Sequence, residues 1–120
     1  MYRSQFTDEA LKDLRRLPKN VRNRLEQEFV RKIHRDPMGC SEPLTGLLEE
    51  FRSFHFGEYR VIYRVFEEMN AVTVVGIGKK DQGHRAEIYE QLESLAKTGK
   101  LAAALLEVYR SLGRRNPEKS

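Results

Sequence analysis

The sequence predicts an α+β fold in which an N-terminal helical hairpin packs on a small antiparallel β-sheet and an additional helix follows at the C-terminal end. Three observations predict it. Apolar residues recur at three- and four-residue spacing before residue 34, and the same spacing returns after residue 85. Between these regions lie three runs of strand-forming residues, near 50–56, 58–67 and 71–78. Helices and strands that are segregated along the chain are typical of the α+β class.

The N-terminal region begins with a strand-like segment, residues 2–6, and continues into two helices. Thr7 suits the N-cap of the first helix because its hydroxyl can accept a hydrogen bond from a first-turn amide. Pro18 ends that helix, and a second helix is expected from about Asn20. The apolar stripes that should pack on the sheet are Ala10, Leu11, Leu14 and Leu17 in the first helix and Val21, Leu25, Phe29, Val30 and Ile33 in the second. His34, in the last helical turn, is interpreted as structural.

The three central strands should form an antiparallel meander with short turns at residues 57–58 and 69–70. Alternation along the middle strand places Arg60, Ile62 and Arg64 on one face, whereas Val61 and Tyr63 are on the other. Two arginines would not be buried under a helix without partners. We therefore expect the helices to cover the tyrosine face and the arginine face to remain a concave basic surface.

A helix predicted from residue 85 is interrupted by Thr98 and Gly99, resumes its apolar spacing, and should stop at Gly113. This pattern divides the chain into a main domain, a helical extension and a disordered tail, at residues 1–95, 96–113 and 114–120. Two roles are open for the extension: it could cover an exposed apolar face, or it could mediate self-association.

Composition limits the function classes. The 120 residues suit one domain, and 22 basic against 18 acidic residues leave a net charge of +4, so an anionic partner is compatible with the chain. No apolar run approaches the roughly 20 residues that span a bilayer, and the N-terminal residues do not resemble a secretory signal. We therefore expect a cytoplasmic protein without membrane contact. A single cysteine, Cys40, excludes an internal disulfide and a multi-cysteine metal site.

Basic and aromatic residues follow the last two strands. Residues 57–66 read GEYRVIYRVF, and residues 78–89 read GKKDQGHRAEIY, so guanidinium, ammonium, imidazole and phenol groups should gather at one sheet edge. Together with FTDEALKDL at 6–14 and PLTGL at 43–47, these motifs resemble the RelE/ParE toxin superfamily over residues 2–95. The resemblance implies a RelE-like fold and a toxin of a type II toxin–antitoxin system.

RelE-like toxins cleave messenger RNA in the ribosomal decoding site, so the resemblance implies a ribosome-associated endoribonuclease, an mRNA interferase that arrests growth. The ribose 2′-hydroxyl attacks the phosphate and leaves a 2′,3′-cyclic phosphate, without a metal or another cofactor. This reaction needs a base, an acid and positive charge on the phosphate oxygens. The resemblance assigns these catalytic roles to Arg60, Lys80, His84, Arg85 and Tyr89.

Each catalytic candidate has an alternative interpretation. Arg60 matches the arginine of the family's Gly-x-Tyr-Arg motif and would hold two phosphate oxygens, unless it is only a surface arginine. Lys80 would act as an acid or as a charge stabiliser. His84, beside Arg85, would be a base or acid whose pKa neighbouring cations lower, or else a helix cap. Tyr89 would stack on or orient a nucleotide, or belong to the core.

RNA-binding candidates are Arg52, His55, Arg64 and Lys79. The best-known RelE pattern has paired lysines on the strand where this chain has Phe51–Phe56, and there Arg52 and His55 could supply charge or a base. The site requires Arg60 and the cations before Tyr89 to face one water-accessible hollow.

Other functions remain open on sequence grounds. ParE-like toxins share the scaffold but inhibit DNA gyrase without cutting RNA, and a third alternative is a catalytically silent basic binding module. Any of the toxin classes implies a cognate antitoxin whose flexible acidic or amphipathic segment covers the basic sheet. The expected partners are thus the antitoxin, with messenger RNA and the ribosome or, in the alternative, gyrase. A homo-oligomer and a toxin–antitoxin hetero-oligomer are both compatible with the sequence.

Overall fold

The computed structural model describes residues 1–80 and 87–115. Its strands are β1 Arg3–Phe6, β2 Glu42–Pro43, β3 Arg52–Phe56, β4 Tyr59–Phe66 and β5 Ala71–Lys79. Its α-helices are α1 Asp8–Arg16, α2 Lys19–Glu28, α3 Glu87–Lys97 and α4 Lys100–Arg115. The α+β class is confirmed, and every predicted strand and helix of the described chain is present.

The first two helices begin and end close to the predicted positions. Thr7 caps α1, since its hydroxyl accepts a hydrogen bond from the Ala10 amide at 3.2 Å. Only Leu17 and Pro18 separate α1 from α2, which continues into a π-helical turn, Phe29–Ile33. Both helices contribute buried residues to one hydrophobic cluster, but their arrangement as a hairpin remains a prediction.

One member of the predicted stripe of α2 lies outside the core. Leu25, Phe29 and Ile33 are buried, whereas Val30 is 55% exposed. Residues four apart lie above one another on a helix, and a residue one step further is rotated by about 100°. His34 follows the π-helical turn, and its Nε2 lies 3.0 Å from the Ser4 hydroxyl, in agreement with a structural role.

The sheet has five strands in the order β1-β5-β4-β3-β2. Strands β3, β4 and β5 form the predicted antiparallel meander. The prediction of a wholly antiparallel sheet is wrong, because β1 pairs with β5 in parallel, from Arg3 opposite Ala71 to Phe6 opposite Val74. The segment of helices and strands between β1 and β5 is long enough for the crossover that a parallel pair requires.

Hydrophobic clusters cover both faces of the sheet. Val61 and Tyr63 of β4 face α1 and α2, as expected. The prediction of an open arginine face is wrong over the middle of the sheet, since Ile62 is fully buried in a second cluster with Ile88 and Leu92 of α3. Apolar α3 residues can approach there because Ile62 pairs with Gly76, which has no side chain to hold them away.

The C-terminal helix completes this second cluster. Gly99, at a φ of 79°, separates α3 from α4 as predicted, and Leu101 of α4 is 4% exposed. The extension therefore covers an apolar face, while self-association stays a prediction. α4 runs through Gly113 to Arg115, two residues beyond the predicted stop, and residues 116–120 of the predicted tail lie outside the described residues. Every described helix is too short or too polar to cross a bilayer.

Candidate active site

The β3–β4 turn brings an imidazole and a guanidinium together. Gly57 adopts a φ of 56°, a left-handed conformation that glycine accepts without strain, so two residues suffice to reverse the chain. In the resulting register His55 lies opposite Arg60, and Arg60 lies opposite Gly78 of β5. Directly opposed residues point to the same face, so the two side chains share the turn end of the α3 face.

Arg60 is held in place by the backbone of this turn. Its Nη1 donates to the carbonyl oxygens of Gly57 and Tyr59, each at 3.0 Å. Its Nε is buried and has no hydrogen-bond partner within residues 1–80 and 87–115. A buried donor without a partner is uncommon in native proteins and often marks a functional position. The Nε–Nη2 edge of a guanidinium can act as a fork for two oxygens of an anion, but here Nε lies below the surface.

His55 is kept in its neutral form by its surroundings. Burial lowers the pKa of His55 below its usual 6.5, the positive charge of Arg60 lowers it further, and Lys80 adds a smaller effect in the same direction. Glu42 of β2 acts in the opposite sense, with its carboxylate 3.4 Å from Nε2 of the imidazole. A neutral imidazole can accept a proton, so His55 is competent as a base near neutral pH.

The two lysines at the end of β5 lie beside the same turn. The Lys80 amide donates to the carbonyl oxygen of Glu58 at 2.7 Å, which continues the β4–β5 ladder past the last residue of β5. Lys80 itself is exposed. The ammonium group of Lys79 lies 3.7 Å from the Glu58 carboxylate, and this exposed ion pair contributes little to stability. Arg60 and Lys80, with the neutral imidazole of His55 beside them, thus form one cationic end of the sheet.

Tyr89 connects α3 to this region. Its hydroxyl is 2.9 Å from the hydroxyl of Ser53, which is buried on β3 and lies 36 residues away in sequence. Ser53 is two residues before His55, so the two side chains share a face and are separated by about 7 Å along the strand. The ring of Tyr89 also packs on the second hydrophobic cluster. The ring therefore packs at the edge of the core, and the phenol hydroxyl borders the candidate site.

The glycines of β5 determine how closely α3 can approach. A Cβ on Gly78 would lie 2.6 Å from Cβ of Ile88, an atom that cannot move without the helix backbone. A Cβ on Gly76 would lie 2.8 Å from Cδ1 of Ile88, the flexible end of the side chain. The absence of side chains at both positions therefore allows α3 to pack directly on the strand and positions Tyr89.

Gly78→Ala is expected to destabilise the protein by about 1–3 kcal/mol, because overpacking at Ile88 moves α3 away from the strand. Thermal unfolding would measure the loss. Gly76→Ala is the matched control and should cost less, since only the outer side-chain atoms of Ile88 and Leu92 have to move. Equal losses in the two variants would contradict the proposed difference between the sites.

Asp13 of α1 binds the edge of β5 beyond the point where β1 ends. Its Oδ2 accepts from the Ile77 amide at 3.0 Å, and Oδ1 is 3.6 Å from the Arg16 guanidinium. Burial raises the pKa of Asp13, and both contacts oppose that shift. The carboxylate thus holds the strand one residue before Gly78.

Asp13→Ala should leave the Ile77 amide without its acceptor and lower the free energy of unfolding by about 1–3 kcal/mol. Asp13→Asn retains an acceptor oxygen and removes the charge that burial disfavours, so we expect it to be close to the original protein in urea denaturation. An alanine variant as stable as the asparagine variant would show that the hydrogen bond is unimportant.

The sequence of this chain is similar to those of known toxins. A family model described as the ParE toxin of the type II toxin–antitoxin system parDE matches residues 5–89. The chain belongs to the RelE/ParE toxin superfamily. It is 29% identical over 90 residues to the toxin RelG of Mycobacterium tuberculosis, covering 75% of this chain and 98% of RelG. It is also 29% identical over 91 residues to the mRNA interferase toxin RelE of Escherichia coli, covering 75% of this chain and 92% of that toxin.

A solved structure supports the same relationship. The toxin–antitoxin complex RelBE2 of Mycobacterium tuberculosis contains a chain that superposes with a TM-score of 0.62 at 26% identity, covering 66% of this toxin and 98% of that chain. The five-stranded sheet and its helices are therefore a RelE-like fold.

Two of the predicted RNA-binding residues of the toxin have other contacts. Arg52 donates to the Ser41 hydroxyl at 2.8 Å and to the carbonyl oxygens of Met38 and Ser41 at 3.0 and 2.9 Å. Arg64 pairs with Glu50 at 3.2 Å and lies over the Phe66 ring, four residues along β4 from Arg60. Their RNA-binding roles stay predictions, and these contacts favour structural roles instead.

The remaining predicted residues of the toxin divide into two groups. The structure brings Arg60, His55, Lys79, Lys80 and Tyr89 to the turn end of the sheet and the start of α3. His84 and Arg85 lie outside the described residues. Within the described part of the toxin, no group of three His, Cys, Asp or Glu side chains is arranged to hold a metal ion.

Sequence reasoning missed Glu42, Ser53 and Asp13, which contact His55, Tyr89 and the β5 edge respectively. Glu42 belongs to a two-residue strand that carries almost no pattern. Ser53 could have been identified from the sequence, because a small hydroxyl residue interrupts an otherwise aromatic and basic strand.

Proposed function

We propose that this toxin is an mRNA interferase, a ribosome-associated endoribonuclease that acts in the cytoplasm and arrests growth. The observation that carries the proposal is the pairing of His55 with Arg60 on one face, beside Lys80 and the Tyr89–Ser53 hydrogen bond. A neutral base next to a fixed guanidinium is what an attack by a 2′-hydroxyl on a phosphodiester requires. The relatives named mRNA interferases support the same activity.

In the proposed reaction His55 removes the proton of the ribose 2′-hydroxyl. The resulting oxygen forms a bond to phosphorus, and the bond between phosphorus and the 5′-oxygen breaks. The products are a 2′,3′-cyclic phosphate and a 5′-hydroxyl, so one proton is taken up by the base and one is delivered to the leaving oxygen.

Charge stabilisation is assigned to Arg60. Its Nη1 is already bound to two carbonyl oxygens, so the turn fixes the position of the guanidinium before phosphate binds. Nε is buried, so a phosphate oxygen could contact it only after a local rearrangement of the turn. Lys80 is the described residue that we propose as acid or second cation, because it is exposed and lies close enough to influence the pKa of His55.

Tyr89 is proposed to orient a nucleotide by its phenol. Its hydroxyl is positioned by Ser53 and its ring by the second hydrophobic cluster, so the side chain is rigid before RNA binds. His84 and Arg85 keep the catalytic roles that the family resemblance implies.

We propose a cognate antitoxin as the toxin's protein partner. A solved relative is a toxin–antitoxin complex, and the cationic end of the sheet would attract an acidic segment. Co-expression with the protein encoded by the neighbouring gene, followed by co-purification, would identify it.

Gyrase inhibition is the second candidate, because the matching family model is described as a ParE toxin. One experiment compares both: purified toxin is incubated with ribosomes programmed with a defined messenger, and in parallel with gyrase and relaxed plasmid. We expect position-specific cuts that carry a 2′,3′-cyclic phosphate, and unchanged supercoiling. Inhibited supercoiling without cleavage would overturn the nuclease proposal, and neither effect would favour a silent binding module.

A further inference from the structure

A cavity of 410 Å³ lies between α1 and α3 at the edge of β5. β1 accompanies β5 only as far as Val74, so no strand of the described chain lies beside residues 77–79 on that edge. Asp13 binds the Ile77 amide, and beyond that point Gly78 and Lys79 face the cavity. The open edge is thus a feature of the strand order.

The lining of the cavity combines one aromatic ring with two cations. Tyr59 of β4 is half-buried and lies opposite Lys79 in the β4–β5 register. Arg16 extends from α1 with most of its side chain exposed, and Leu17 and Pro18 form an apolar wall. Proteins that bind single-stranded nucleic acid stack a base on an aromatic ring and contact the nucleic-acid backbone with Lys and Arg.

The carboxylates that line the cavity favour a nucleobase over a phosphate as its occupant. Asp13 and Glu87 balance the charges of Arg16 and Lys79, so the lining is neutral overall and a phosphate inside it would face two acidic groups. Glu87 also accepts from the Gln91 amide at 3.3 Å. Carboxylate and amide oxygens instead suit the N–H groups on the edge of a nucleobase.

The cavity adjoins the proposed catalytic arginine. Gly78 both lines it and pairs with Arg60, and the Tyr59 carbonyl oxygen accepts from Nη1 of Arg60 at 3.0 Å. Tyr59 and Arg60 are consecutive residues of β4, so their side chains lie on opposite faces of the sheet. An RNA strand with its phosphate at Arg60 would pass round the turn end of the sheet to place a nearby nucleotide at Tyr59.

We propose that this cavity is a nucleobase subsite, in which an unpaired base near the cleaved phosphate stacks on Tyr59 while the exposed side chains of Arg16 and Lys79 contact the RNA backbone outside the cavity. The inference rests on the proposed ribonuclease function. Because stacking would bind the substrate without taking part in proton transfer, its loss should raise KM more than it lowers kcat.

The test combines protein variants with substrates that lack one base. Tyr59→Ala should raise KM for the programmed ribosome on the order of 10-fold, and Tyr59→Phe should retain most of the affinity, since the ring face persists. An abasic nucleotide placed on either side of the cut should weaken cleavage by the original toxin at one of the two positions. That abasic substitution should have little effect on Tyr59→Ala, because both changes remove the same stacking contact.

Tyr109→Ala is the control, since Tyr109 is half-exposed on α4 and lines a different cavity. If Tyr59→Ala does not fold, Tyr59→Leu keeps the bulk of the side chain and removes the ring. Additive effects of the protein variant and the abasic substrate, or an unchanged KM, would overturn the subsite while cleavage by the original toxin persists. If the original toxin cuts no RNA, the proposed function and the subsite both fail.

Discussion

Replacing Arg60 with alanine is expected to lower the rate of messenger cleavage by about 100-fold to 1,000-fold. The guanidinium is fixed by two carbonyl oxygens of the turn, so the transition state would lose a positive charge that is already in position. Single-turnover cleavage on programmed ribosomes measures the effect. The fold should persist, because the variant loses only hydrogen bonds at a turn, each contributing about 1 kcal/mol.

One further variant separates the effect of charge from that of shape at position 60, and a second variant elsewhere serves as the control. Arg60→Lys keeps the charge without the fork, and we expect an intermediate rate. Arg31→Ala removes an exposed arginine of the π-helical turn that follows α2, where its side chain pairs with Glu28. This variant should cleave as the original toxin does. Full growth arrest by Arg60→Ala, at the same expression level as the original, would rule out the assigned role.

Replacing His55 with glutamine is expected to lower the cleavage rate on the order of 100-fold, as for the loss of a general base. The pH dependence gives a second measurement. Burial and the charge of Arg60 lower the pKa of His55, so the neutral, active form prevails above that lowered pKa. The rate of the original toxin should therefore fall only below pH 6.5, and this acidic decline should be absent in His55→Gln.

His34→Gln is the matched control for the second prediction. Burial also lowers the pKa of His34, but its ring contacts Ser4 and Phe29 and takes no part in the proposed site. Its pH–rate profile should equal that of the original toxin. A His55→Gln variant with an unchanged rate, or with the same acidic decline, would assign proton transfer to another residue.

The predictions from sequence succeeded where the physical cause is local. The N-cap at Thr7, the helix break at Pro18 and the turn after Phe56 each depend on a few neighbouring residues. The register of β3 and β4 follows from the two-residue turn at Gly57, so the pairing of His55 with Arg60 could have been derived from it. The significance of that pair was not predicted, because the pKa of the imidazole depends on burial.

The predictions failed where segments distant in sequence meet. The arginine face was expected to be open because two arginines alternate with Ile62, yet α3 covers its centre. That contact requires both the apolar stripe of α3 and the glycines of β5, and the role of the glycines is visible only when the helix is placed. The contacts of Arg52 with the loop at Met38 and Ser41 were likewise not predicted, while its RNA-binding role stays a prediction.

The sequence by itself determined the class of fold, the order of its main elements and the superfamily, because apolar spacing, turn residues and short motifs are properties of the chain. The tertiary structure decided which side chains share a surface. It placed β1 parallel to β5, exposed the edge that forms the cavity at Tyr59, and joined Ser53 to Tyr89. Such contacts depend on the balance of burial and hydrogen bonding over the whole molecule. No single segment therefore carries the information that determines them.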